Sequence, residues 1–210
     1  GKNLGYKPRH KEGYFPALPS DSHHDLRTEI CLELERCGMI VERQHHEVAT
    51  AGQGEIDIRY DAMIEMADKM QWFKYIVKNV ARRHGKSATF MPKPYRDHAG
   101  SGTHLHVSLI DAAGRNIFAA DDPAGSAALR HAIGGLAATI NDTMAVCAPT
   151  ANSYRRFQPE AYVPLNPSWS VNNRGVAFRV PHGPPASRRV EHRVAGAEAN
   201  PYLLAAMVLA

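Results

Sequence analysis

A chain of 210 residues, 44% hydrophobic and 22% charged, has the composition of a water-soluble globular protein with room for one sizeable domain or two small ones. The net charge of +4 is modest, and the basic residues are scattered apart from "SRR", "YRR" and "ARR", which argues against a nucleic-acid-binding face. No secretory signal and no apolar run of membrane-spanning length is present, and the three cysteines, at 31, 37 and 147, lack metal-site spacing and fit reduced thiols in a cytoplasmic protein.

Residues 1 to 20, rich in Gly, Pro and Tyr, read as loop. Ser20 and Asp21 are placed to cap a helix carrying Leu26, Ile30, Leu34 and Cys37 at helical spacing, which Gly38 ends. "MIVERQHHEVAT" and "GEIDIRY" read as strands. Asp61 opens a second helix with Met63, Met66, Met70, Phe73, Val77 and Val80 as its apolar stripe, closed by Gly85. "SATFMPKPY" reads as a short strand broken by prolines. "THLHVSLID" alternates, with Leu105, Val107 and Leu109 on one face and His104, His106 and Ser108 on the other. Leu129, Ile133, Leu136, Ile140 and Met144 mark a third helix, and "GVAFRV" and "RRVEHRV" are strand-like. Helices and strands mix without a β-α-β rhythm, which predicts an α+β fold. The missing initial Met and the uncapped apolar end "PYLLAAMVLA" suggest a piece of a longer protein.

Three strands set functional chemistry opposite an apolar face: Glu55 and Asp57, then His104, His106 and Ser108, then Arg189, Glu191 and Arg193. A solvated sheet face would usually carry Lys, Thr and Glu instead. Glu47, Glu55, His104 and Glu191 make a candidate hard-metal set, and oxygen ligands with one imidazole suit Mg²⁺ or Mn²⁺ better than Zn²⁺. Arg156, Arg174, Arg179, Arg189 and Arg193 suit phosphate and carboxylate oxygens, because a planar guanidinium binds both bidentately. Carboxylate-held metals with several arginines point to phosphoryl transfer. "GSG" at 100–102 lets backbone approach a ligand closely, without the Gly-Lys-Ser/Thr of a Walker loop.

"HHEVATAGQGEI", "KSATFMPKPYRDHAGSGTHLHVSL", "NSYRRFQPEAYVP", "NNRGVAFRVP" and "RRVEHRVAGAEANPYLLAA" together resemble the catalytic domain of glutamine synthetases, in order and over nearly the whole chain. The resemblance implies a mainly antiparallel curved sheet flanked by helices, with residues 1–210 as part of that domain and both an N-terminal domain and a C-terminal end lying beyond them. It implies an ATP-dependent ligase in which glutamate takes a phosphoryl group from ATP and an amine displaces the phosphate. The cofactors would be ATP and Mg²⁺ or Mn²⁺. The partners would be glutamate, ammonia or an organic amine, and further copies of the chain in a homo-oligomeric ring, a dodecamer by resemblance, in the cytoplasm. Residue by residue, Glu47 and Glu55 resemble ligands of one metal, and His104 and Glu191 those of another. Gly100 resembles the backbone that receives the substrate amino group. Arg156 and Arg193 resemble clamps on glutamate, Arg174 and Arg179 the phosphate-neutralising pair, and His106, Ser108 and Arg189 nucleotide contacts. For His45 and His46, packing or support of the ligands is as open as direct contact.

Three departures bear on the chemistry. Ala99 stands where the family usually has Asn, and the segment before "RRVE" reads "HGPPAS", where a Lys is common. Tyr162 stands where ammonia-using members carry a Glu that accepts a proton from ammonium, with Glu160 two residues away. A phenol supplies no such carboxylate near neutral pH. On this ground, and on the likeness of "VEHRVAGAEANPYLLAA" to the polyamine branch, the sequence reading puts a polyamine or other primary amine ahead of ammonia. The segment "HHEVATAGQ" looks more like the ammonia-using branch. A non-catalytic family member is the remaining alternative.

Overall fold

The computed structural model describes residues 8–159 and 161–210; the reading of residues 1–7 and the placement of Glu160 lie outside them. The chain divides into two compact units, one ending at Ser101 and one spanning Gly102–Ala210. The expected mainly antiparallel sheet appears as strands in two separate sheets, one in each unit, mixed with helices in an α+β arrangement.

The first unit runs α1 (His24–Arg36), β1 (Val41–His46), β2 (Gly54–Ile58) and α2 (Met63–Arg83), and residues 8–20 are turns and bends as expected. Both helices end alike. Gly38, at φ +83°, donates to Glu35 O while Met39 donates to Leu34 O; Gly85, at φ +65°, and Lys86 repeat the pattern on Arg82 and Ala81. Glycine reaches this left-handed turn without a Cβ clash, so the last carbonyls gain donors. The helix starts differ from expectation. Residue 23, not Ser20 or Asp21, occupies the N-cap of α1, because the Asp21 carboxylate is turned to the Arg27 guanidinium. Ala62 occupies the N-cap position of α2 without a side-chain cap, and its N–H donates to Asp61 Oδ1. Ile30, Leu34, Met39, Ile76 and Val80 form the core, with Phe73, Val77, Ile56 and Ile58 packed against it. The "SATFMPKPY" segment forms no strand; residues 87–95 are irregular, as prolines without N–H donors favour.

The second unit contains β3 (Leu105–Val107), α3 (Ala127–Cys147), the short α4 (Ala151–Tyr154), β4 (Trp169–Val171), β5 (Phe178–Val180), β6 (Val190–His192) and α5 (Pro201–Leu209). Its sheet has the order β3-β6-β5-β4, antiparallel except for the β4–β5 pair. Ser126 caps α3 by accepting from Leu129 N, and Asn200 caps α5 from Tyr202 N and Leu203 N. Leu129, Ile133, Ile140, Cys147, Phe178, Val180, Val190 and Leu204 fill one core, so one sheet face lies against α3 and α5. Among the described residues, no helix is long and apolar enough to cross a membrane.

Candidate functional site

Register explains how the first unit gathers its acidic residues. In the antiparallel β1–β2 pair, Arg43 faces Asp57 and His45 faces Glu55. Directly opposed residues share a sheet face, and residues two apart on one strand share it too. Ile56 and Ile58 are thereby turned to the core while Glu55 and Asp57 are turned away. Glu47, just past β1, follows His45 onto the same side. His45 Nε2 lies 3.2 Å from Glu55 Oε1, and His45 Nδ1 lies 3.9 Å from Glu47 Oε1. One ligand atom from each of His45, Glu47 and Glu55 lies within 4.8 Å of the others. Burial pushes the Glu55 carboxyl up, and Asp57 and Glu47 push it further, against the pull of His45. A crowded set of carboxylates whose mutual repulsion a cation would relieve fits a divalent ion with oxygen and imidazole ligands.

The His45 ring is held from behind. Phe15 stacks on it at 4.1 Å between centroids, and Tyr14 meets it edge-on at 5.4 Å. His46 points elsewhere: its Nδ1 lies between Gly13 O at 2.9 Å and Glu47 O at 2.6 Å, so that nitrogen carries the proton and the ring is a structural tie.

In the second unit the centre is Glu191, 2% exposed. It pairs across the sheet with His106 on β3 and Arg179 on β5, so the three share the face opposite Phe178, Val180 and Val190. Arg179 donates to Glu191 Oε2 at 2.7 Å and Arg193 to Oε1 at 2.5 Å. His104 Nδ1 lies 3.3 Å and His106 Nε2 3.8 Å from Oε1. Burial alone would raise the Glu191 carboxyl; His104, Arg193, His106 and Arg179 outweigh it and hold the group low. Desolvation by the surrounding protein and the Arg193 charge push His104 the other way, below the ordinary imidazole value.

The sequence-predicted residues therefore fall into two groups. Glu47 and Glu55 come together in the first unit, with His45 as the third member. His104 and Glu191 come together in the second, with Arg179, Arg193 and His106, and there two guanidinium groups already take both carboxylate oxygens. Arg189 donates to His106 at 3.0 Å, and Ser108 lies exposed past the end of β3. Arg174 sits exposed in the β4–β5 connection. Arg156 is 3% exposed and donates to Val194 O at 2.7 Å and Arg193 O at 3.1 Å, a placement that serves the backbone before any substrate. Tyr162 is 80% exposed, at φ +45°, and lines an open cleft of about 540 Å³ with Leu165 and Asn166. Gly100 lies in the loop after Lys93, its carbonyl accepting from Gln53 at 2.9 Å. Sequence reasoning missed Gln53 and left His45 open. The two-residue step from Glu47 was the available sign for His45; its place opposite Glu55 was not.

A family model described as "Glutamine synthetase, catalytic domain" matches residues 2–210. Proteins named glutamine synthetase are 47% identical in Frankia alni, 48% in Streptomyces coelicolor and 46% in Escherichia coli K12, over 99–100% of this chain. The chain spans 45% of the length of each of these relatives. A cryo-EM structure of Plasmodium falciparum glutamine synthetase superposes with a TM-score of 0.91 at 30% identity, covering 99% of this chain and 41% of that one. With the match running almost end to end, the chain belongs to the glutamine synthetase family, within its catalytic domain.

Proposed function

We propose that the full protein is an ATP-dependent glutamate–ammonia ligase. The observation that carries this reading is the His45–Glu47–Glu55 donor set, in a chain whose relatives are named glutamine synthetase. Those names reverse the order in which the sequence was read, where Tyr162 put an organic amine first.

In this reading the γ-carboxylate of glutamate attacks the γ-phosphorus of ATP, and ADP leaves. Ammonia then attacks the carbonyl carbon of the γ-glutamyl phosphate. Phosphate leaves, and the proton shed by ammonium passes to a base. His45, Glu47 and Glu55 would hold one Mg²⁺ or Mn²⁺, and His104 and Glu191 are assigned to another. Such an ion would neutralise charge on the phosphate oxygens. Arg179 and Arg193, already paired with Glu191, are fixed donors for anionic oxygens, and preorganised donors of this kind favour a transition state in which negative charge moves. Arg174 is assigned to the same phosphate, and His106, Ser108 and Arg189 to the nucleotide. The Gly100 carbonyl is assigned to the α-amino group of glutamate, and Arg156 with Arg193 to its carboxylate and reacting carbonyl. The protein would work as a homo-oligomer in the cytoplasm.

A second reading, an organic amine as nucleophile, rests on Tyr162. An exposed phenol ring can hold an alkylammonium by cation–π contact, worth about 0.5–2 kcal/mol, but offers no carboxylate to take its proton. Phosphate release by the full-length protein, with ATP, glutamate and either ammonium, putrescine, spermine or ethanolamine, separates the two. A higher kcat/KM for ammonium supports the first reading. A higher value for any of the amines overturns it in favour of the second, and no release with any of them overturns both.

A further inference from the structure

Gln53 sits between the acidic Glu47–Glu55 turn and the loop that carries Gly100. Its main chain belongs to the turn: Gln53 O accepts from Glu47 N at 2.8 Å, and Gln53 N donates to Ala49 O at 3.3 Å. Its side-chain oxygen accepts from Ala49 N at 3.1 Å, which leaves the amide NH₂ turned outward with a fixed orientation. That NH₂ donates to Gly100 O at 2.9 Å and to Ser101 Oγ at 3.0 Å. Nearby, Thr50 Oγ1 lies 3.3 Å from His98 Nδ1, Lys93 Nζ donates to His98 O at 2.5 Å, and Ser101 N donates to Pro92 O at 2.8 Å. The peptide between Gly100 and Ser101 is thus gripped at both of its polar ends.

We propose that Gln53 is a positioning residue that aims the Gly100 carbonyl at the α-amino group of glutamate; this rests on the reading of Gly100 given above. A carbonyl oxygen has two acceptor directions. Gln53 takes one of them, and a fixed donor on that side leaves the other directed at a second donor, here an ammonium group. Ala99 sharpens the dependence. With no amide side chain at position 99, this loop recognises the amino group through its main chain, and the main chain is oriented by Gln53. The same side chain makes the spacing between the carboxylate turn and the Gly100 loop a single fixed dimension. The turn that holds His45, Glu47 and Glu55 and the loop that meets the amino acid then move together.

The test uses the full-length protein with Gln53→Met, which keeps the side chain's length and removes the side-chain amide's hydrogen bonds, and Gln53→Asn, whose amide is one methylene too short. Both variants raise the KM for glutamate about tenfold, the effect of losing one well-placed hydrogen bond. The kcat, the KM for ATP and the Mn²⁺ dissociation constant read by electron paramagnetic resonance stay within about twofold of wild type. An unchanged glutamate KM in both variants overturns the proposal. So does a parallel loss of glutamate, ATP and Mn²⁺ binding, which would mark Gln53 as general scaffold. If Gln53→Met does not fold, Gln53→Asn carries the same comparison. A wild-type protein that forms no γ-glutamyl product overturns the reading beneath the proposal, an outcome seen before any variant is made.

Discussion

At Glu55, a neutral glutamine would keep the volume and remove one charge from a site where three carboxylates crowd together. Burial and the neighbours Asp57 and Glu47 already push this carboxyl up, so its charge is a burden on the fold that a bound cation would relieve. Glu55→Gln is therefore expected to leave thermal stability unchanged or raise it by up to about 1 kcal/mol, while Mn²⁺ affinity falls at least tenfold. A melting curve and a calorimetric titration of the full-length protein check both halves. Tyr162 makes the complementary case. Tyr162→Glu places a carboxylate on an exposed loop, where it is free to accept a proton, and is expected to raise kcat/KM for ammonium several-fold relative to putrescine. Steady-state rates with each nucleophile check it, and an unchanged ratio would remove residue 162 from the choice of nucleophile.

Among the elements, α1 is anchored by an ion pair rather than by a cap. Asp21 and Arg27 are both 5% exposed, and Arg27 also donates to Gln44 on β1 at 2.7 Å. Burial pushes the Asp21 carboxyl up, but the hydrogen bond and charge of Arg27 hold it below its ordinary value. The stabilising contribution is thus fully present above the unfolded carboxyl pKa of about 3.9 and is lost as pH falls through the lower folded value. Removing the guanidinium is expected to reverse the sign: in Arg27→Met burial is opposed chiefly by the single His23 N–H hydrogen bond, the carboxyl rises, and acidification from neutral pH stabilises rather than destabilises. Arg27→Met is expected to cost about 3–5 kcal/mol at pH 7, read by urea unfolding at a series of pH values. Much of this architecture was legible in the sequence. The stripes of α1, α2 and α3, the glycine stops at 38 and 85 and the alternation at Leu105–Val107 within "THLHVSLID" follow from local geometry, although the strand ends there and leaves Leu109 exposed. Other features were not. β4 is three residues long, too short to show a period, and the prolines of "SATFMPKPY" sit in a run that looks apolar enough for a strand. At the site, the side chains of His104, His106 and Glu191 could be assigned to a face, but that Glu191 lies between Arg179 and His106 depends on strand order, which no local pattern encodes. Gln53 was invisible because its partners are forty-seven and forty-eight residues away.

For the whole molecule, apolar side chains remain on the surface of both units. Ile64, Trp72 and Tyr75 are 57–63% exposed along one stripe of α2, and Leu203 and Leu209 are 57% and 60% exposed on α5. With the chain spanning 45% of its relatives' length, residues 1–210 expressed alone are expected to show no ATP-dependent product formation, while the full-length protein elutes as a homo-oligomer. Light scattering after size exclusion and a product assay on both proteins check this; full activity from a monomeric 1–210 would sink it. The placement of the cysteines gives the molecule its own unfolding reporter. Cys147 lies in the core of the second unit, where burial raises its thiol to about 11, whereas Cys37 stands exposed where α1 ends. A maleimide should thus modify Cys37 at once in the native protein and reach Cys147 only when α3 separates from its sheet. The delay between the two modified peptides in a mass spectrum would time the opening of the second unit, with no residue of the chain replaced.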